Sequence, residues 1–230
     1  MPRHRWIAHL SVTWVLSGAV ASWGATPAAD NGAGARIASA GNTSGATACS
    51  SCHGVHGEGA AAFPRLAGAG AEYLREQLEA FAKGARKNPI MQPIAQALSP
   101  DQRGQVAAYY ATLPAAHAAD RDARSPSDTG AWLATRGRWA DDVPACAQCH
   151  GPGGSGVGSR FPPLAGQSAA YIAAQLKNWQ AGARPPGPLG LMEAIARKLK
   201  EQDIQAVSEY YAGLAAPAAV PPTTAPKGAQ

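Results

Sequence analysis

Two short segments hold all four cysteines of the 230-residue chain: Cys49-Ser50-Ser51-Cys52-His53 and Cys146-Ala147-Gln148-Cys149-His150. C-x-x-C-H is the attachment signature of c-type haem, because its spacing lets two thiols reach the two vinyl groups on one porphyrin edge. The histidine that follows is aimed at the iron from one side of the ring. A zinc ribbon would set its cysteine pairs about 15–20 residues apart, whereas these pairs lie 97 residues apart. A thioredoxin-like motif would sit near a βαβ pattern, and a disulfide gives no reason for a histidine after each pair. The chain is therefore expected to carry two covalently attached haems c. Cys49 and Cys52 would hold the first, Cys146 and Cys149 the second, with His53 and His150 as axial ligands of the irons.

The second axial position separates a carrier from an enzyme. Once Met1 leaves with a signal peptide, the methionines are Met91 and Met192, 38 and 42 residues after His53 and His150. A lone methionine is ordinarily core filler, but their matched positions make these two the expected sixth ligands. His/Met ligation raises the reduction potential and fills both axial positions, so electron transfer is expected and no catalytic residue is assigned. His56 and His117 have no counterparts in the other half and are expected at the surface. An axial histidine donates its other ring N–H to an acceptor, for which the carbonyls of Pro64 and Pro162 are candidates. Arg86 and Arg184 could pair with haem propionates, which suit a bidentate guanidinium, or be merely solvated.

The elements that position these residues are written twice. Phe63-Pro64-Arg65-Leu66-Ala67-Gly68 matches Phe161-Pro162-Pro163-Leu164-Ala165-Gly166, and Gly84-Ala85-Arg86 matches Gly182-Ala183-Arg184. Tyr73 matches Tyr171, and Tyr109-Tyr110 matches Tyr210-Tyr211, which accounts for all six tyrosines. The tyrosine pairs are expected to pack helix on helix beneath each haem. The repeat implies a tandem duplication of a helical unit. Tyr73, Leu74, Leu78 and Phe81 recur at helical spacing over Glu72–Lys83. Ser99-Pro100-Asp101 supplies an N-cap and a first-turn proline for the next helix, which Pro114 ends. The second half repeats this over Ala169–Gln180 and Gln202–Leu214, and no run alternates as a strand.

Residues 1–21 have the layout of a secretory signal peptide: Arg3 and Arg5, an apolar stretch, then small residues, with cleavage placed between 21 and 29. The apolar stretch is short of the ~20 residues of a spanning helix, so a mature chain without a membrane span is expected in the periplasm; an uncleaved anchor is the other possibility. The first domain is expected over 30–114, a linker over 115–127, the second domain over 128–214 and a disordered Pro/Ala-rich tail over 215–230.

The formal charge of +5 has no Lys/Arg-rich run behind it, so no nucleic-acid partner is expected. Loss of Arg3 and Arg5 and gain of four propionates would leave the holoprotein near neutral. At 15% charged residues the chain lacks a disordered profile, and four cysteines are too few for a disulfide scaffold.

From about Ala33 to Leu214 the sequence resembles the dihaem class I cytochromes of the "c-four" type. The likeness rests on Cys49/Cys52/His53 with Phe63-Pro64-x-Leu66-Ala67-Gly68, and on Arg86-Lys87-Asn88-Pro89-Ile90-Met91-x-Pro93-Ile94-Ala95. In the second half it rests on Pro144-Ala145-Cys146-x-x-Cys149-His150-Gly151-Pro152 and Met192-x-x-Ile195-Ala196. It implies an all-α fold of two tandem class I cytochrome c domains, each wrapped around one haem and related by an approximate two-fold axis. It also implies a monomeric periplasmic shuttle between a quinol-oxidising respiratory complex and a terminal oxidase or reductase. An electron-accepting subunit of a periplasmic dehydrogenase for sulfide, thiosulfate or an alcohol would use the same residues. Two stretches depart from the pattern: the Gly/Thr-rich Asn42–Thr47, and Gly187-Pro188-Leu189-Gly190 ahead of Met192.

Overall fold

The structure is a computed structural model that describes residues 31–115 and 127–214. The expected signal peptide, His117 with most of the linker, and the tail lie outside the described residues.

Two helical domains follow one another. The first comprises α1 (Asn31–Ala40), α2 (Ser50–His53), α3 (Ala71–Ala82), α4 (Met91–Gln96) and α5 (Pro100–Thr112). The second comprises α6 (Thr129–Thr135), α7 (Ala147–His150), α8 (Ala169–Gln180), α9 (Leu191–Ala196) and α10 (Glu201–Ala212). No sheet forms among the described residues, only isolated bridges such as Ala60 with Phe63 and Val157 with Phe161.

Local chemistry sets the helix starts. The Ser99 hydroxyl accepts from the Gln102 N–H, and the Gln102 side chain returns a bond to the Ser99 N–H. With Pro100 at the first helical position, this reciprocal cap starts α5. Ser168 caps α8 through the Tyr171 N–H, and Asp128 caps α6 through the Ala131 N–H.

Each domain wraps its longest helices around one apolar cluster. Ile37, Leu74, Leu98, Val106 and Tyr110 lie at the centre of the first. Leu133, Ile172, Leu176, Ile204, Val207 and Tyr211 do the same in the second. Helices α1 and α6 pack against α5 and α10. Their glycines Gly34 and Gly130 permit it: a Cβ on either would stand 2.3 Å from a carbonyl oxygen of the facing helix.

The two departures from the family pattern are locally built. The Asn42 carboxamide oxygen accepts from the N–H groups of Ser44 and Ala46, which folds the Gly/Thr-rich stretch into a turn. Pro188–Gly190 forms a 3-10 turn with Leu189 at φ 58°, a left-handed conformation that is strained for a non-glycine residue.

Candidate functional site

Each C-x-x-C-H segment is a single helical turn. The first cysteine stands immediately before α2 or α7, and its carbonyl accepts from the histidine N–H at 2.9 Å in both domains. The next residues, Gly54 and Gly151, have φ of 84° and 77°. A side chain is strained there, so glycine lets the backbone leave the turn directly behind the histidine.

His53 and His150 are buried, and their surroundings match one to one. His53 Nδ1 lies 2.8 Å from the Pro64 carbonyl oxygen and His150 Nδ1 lies 2.8 Å from that of Pro162. A carbonyl can only accept, so Nδ1 carries the proton and Nε2 is the nitrogen with a lone pair for a metal. Burial pushes both imidazoles below the ordinary histidine range, against the opposing effect of the proline carbonyls, and so favours the neutral ligating form. Phe63 and Phe161 stand edge-on to these rings, with centroids 6.2 and 6.3 Å away.

None of the four cysteines is joined to another as a disulfide. Burial raises the Cys49 thiol and lifts Cys146 to about 11, in each case opposed by a tyrosine hydroxyl, Tyr110 or Tyr211. These second members of the tyrosine pairs therefore lie near the first cysteine of each motif. The matched spacing signalled the tyrosines, but sequence alone assigned them only to packing. Met91 opens α4 and Met192 lies in the first turn of α9, both half-buried, and Met192 packs against the core of its domain. His56 is exposed.

Arg86 and Arg184 are 7% and 6% exposed and meet at the junction between the domains. Arg86 donates to Gln77 of its own domain and to the Tyr171 hydroxyl and Gln175 of the other, at 2.7–2.9 Å. Arg184 mirrors it, donating to Gln175 and, across the junction, to the Tyr73 hydroxyl and Gln77 at 3.1–3.2 Å. Each guanidinium also lies over an aromatic ring of its own domain, Phe81 at 4.5 Å and Trp179 at 3.9 Å. Among the described residues no carboxylate pairs with either arginine. Arg160 adds an ion pair across the same junction to Glu72 and Glu76, and the Tyr73 N–H donates to the Ser159 carbonyl at 2.9 Å.

The donor set fits haem c. Each domain offers two cysteines one helical turn apart, not joined as a disulfide, and an imidazole with its tautomer fixed by a carbonyl. Among the described residues no three His, Cys, Asp or Glu side chains converge as a metal site of another kind.

Comparisons with known proteins agree. A sequence model of the cytochrome c family matches twice, over residues 38–114 and 138–215. A thiosulfate dehydrogenase electron acceptor of Stutzerimonas stutzeri is 51% identical over 172 residues, covering 74% of this chain and 80% of that protein. The crystal structure of reduced cytochrome c4 from Pseudomonas stutzeri superposes with a TM-score of 0.68 at 34% identity, covering 81% of this chain and 100% of the other. Thiosulfate dehydrogenase (TsdBA) from Marichromatium purpuratum gives a TM-score of 0.71 at 39% identity; 79% of this chain matches 40% of that longer one. The chain belongs to the cytochrome c family as a dihaem class I cytochrome of the c-four kind, with two covalently bound haems c and electron transfer as its work.

Proposed function

We propose that this chain is the electron-accepting partner of a periplasmic thiosulfate-oxidising dehydrogenase. The supporting observation is its 51% identity to an electron acceptor of that enzyme class. A dehydrogenase withdraws electrons from its substrate in pairs, and two one-electron centres in one molecule can take both.

In this reading Cys49 and Cys52 anchor the first haem and Cys146 and Cys149 the second. His53 with Met91, and His150 with Met192, would hold the two irons. Each bound haem supplies reversible one-electron exchange at its iron. The Pro64 and Pro162 carbonyls hold the proton on Nδ1 and fix each ring's orientation. Arg86 and Arg184, buried at the junction without a carboxylate partner among the described residues, receive the haem propionates.

The second reading is a free shuttle between a quinol-oxidising complex and a terminal oxidase or reductase, supported by the likeness of 81% of this chain to a whole cytochrome c4. Stopped-flow reduction of the oxidised holoprotein separates the two. The dehydrogenase reading expects rapid reduction by thiosulfate plus a thiosulfate dehydrogenase, and slower reduction by a quinol-oxidising complex. The reverse order of rates would overturn it in favour of the shuttle.

The ligand assignment has its own test. Met–Fe(III) ligation gives a weak long-wavelength absorption band in the oxidised protein. Met91→Ala and Met192→Ala are each expected to halve that band, whereas a full-strength band in either variant would remove that methionine from the coordination sphere.

A further inference from the structure

The two domains fix their axial histidines through the same proline carbonyl, but only one of those carbonyls belongs to a peptide unit that is gripped from outside. The Pro64 C=O and the Arg65 N–H are the two ends of one planar peptide group. The carbonyl accepts from His53 Nδ1 at 2.8 Å, and the N–H donates to the Gln167 Oε1 at 2.9 Å. Gln167 belongs to the other domain and is buried. Its Nε2 donates to the Arg65 carbonyl at 3.2 Å, and its Oε1 also accepts from the Ser168 N–H at 3.1 Å. The carboxamide is thus held at both ends and aligned with the backbone of residue 65.

The second domain has no such connection, for two reasons visible in the sequence. The residue after Pro162 is Pro163, which has no N–H to donate. The residue matched to Gln167 in the first domain is Ala69, which has no carboxamide to receive one. The duplication is therefore broken at both ends of this contact.

We propose that Gln167 is a positioning residue for the first haem, tuning its axial His53 through the peptide bond between Pro64 and Arg65. Hydrogen bonds in a chain polarise one another. Acceptance by Gln167 makes the Pro64 carbonyl a stronger acceptor, which increases the basicity of the His53 imidazole. A more basic axial ligand favours the ferric iron, so the contact lowers the reduction potential of the first haem and leaves the second untouched. It also makes the first haem's potential depend on the two domains being docked. The inference rests on the reading of His53 as an iron ligand.

The test is a potentiometric titration of the holoprotein with its absorbance spectrum recorded at each step. Gln167→Ala is expected to raise one midpoint potential and leave the other in place. The expected gain is about two- to fourfold in that haem's reduction equilibrium, the order of magnitude of cooperative strengthening of one hydrogen bond; at 59 mV per tenfold change for a one-electron couple this is about 18–36 mV. Arg65→Pro removes the N–H itself and is expected to raise the same potential, while Arg65→Ala, which keeps the N–H, is not. Pro163 at the matched position shows that this loop accommodates proline. In the reduced protein the His53 Nδ1 proton resonance is expected to move in Gln167→Ala while that of His150 stays. Unshifted potentials with an intact low-spin spectrum would overturn the proposal, as would equal shifts in both haems or equal shifts in Arg65→Pro and Arg65→Ala. His53 ligation is tested separately: His53→Gly loses the low-spin spectrum of one haem and regains it with added imidazole if His53 is the ligand.

Discussion

Asn42 and Arg138 follow Gly41 and Gly137, and each ties its loop to the first turn of the last helix of its domain. Asn42 Nδ2 donates to the Gln102 carboxamide oxygen at 2.9 Å and to the Ala97 carbonyl at 2.8 Å. Arg138 does the same task with charge, donating through both terminal nitrogens to the two Asp203 oxygens at 3.1 and 2.9 Å. Asp203 is 2% exposed. Burial alone would raise its pKa, but the Arg138 hydrogen bonds and the Lys200 N–H outweigh it and hold the carboxyl below its ordinary value. A group with a depressed folded pKa contributes stability above its unfolded pKa, about 3.9 for Asp, and loses it as pH falls through the folded value. The second domain is therefore expected to lose this contribution below about pH 4, where the neutral Asn42–Gln102 pair of the first domain is unaffected. Asp203→Asn should cost about 1.5–3 kcal/mol at neutral pH, the range for hydrogen bonds to charged groups. It should also flatten the acid side of the second domain's stability profile. Thermal melts of wild type and variant from neutral to strongly acid pH check this, and parallel profiles would show that the ion pair does not titrate with folding.

The helices differ in how much of themselves they announce. Helices α3, α5, α8 and α10 are close to their expected bounds because apolar spacing and capping are local signals; α8 spans Ala169–Gln180 as the spacing predicts, and α5 begins at the expected cap of Ser99. Helices α1 and α6 were not legible. Their buried faces carry one large apolar residue each, Ile37 and Leu133, among glycine and alanine, and glycine opposes helix on propensity alone. They form because Gly34 lets α1 approach the Gln105 carbonyl of α5, and Gly130 lets α6 approach the Ala206 carbonyl of α10. Gly34→Ala and Gly130→Ala are thus expected to destabilise by about 1–3 kcal/mol, the cost of overpacking, despite the better helix propensity of alanine. Denaturant titration of each variant measures this, and an unchanged or raised midpoint would show that the crossing can open cheaply. The two C-x-x-C-H turns were legible for the opposite reason, since a cysteine pair and its histidine are fixed by five consecutive residues. The contacts between domains were not legible: they join residues 84 to 111 positions apart, and no periodicity within either half reports the register between halves.

At the scale of the molecule, the junction of the two domains raises a problem of charge. Arg86 and Arg184 are buried among neutral acceptors, and burying a guanidinium is costly unless an anion pairs with it. Their cross-domain bonds to tyrosine hydroxyls and carboxamides satisfy donors without neutralising charge. The sign of a substitution's effect therefore reports whether propionates complete the cluster in the holoprotein. If they do, Arg86→Ala or Arg184→Ala removes charge-assisted hydrogen bonds of about 1.5–3 kcal/mol each and strands the anion, so the holoprotein is destabilised. If no anion is present, deleting an unpaired buried cation is neutral or stabilising. The double variant should cost less than the sum of the two single variants, because both guanidiniums bond to Gln77 and to Gln175 and one loss already loosens the partners of the other. Contacting residues of this kind show interaction energies of about 0.5–3 kcal/mol. Calorimetry of the holoprotein is the measurement: one cooperative transition in wild type is expected to separate into two in the double variant as the domains uncouple. Additive losses with a single transition retained would place the coupling elsewhere on the junction, at the Arg160 ion pairs with Glu72 and Glu76.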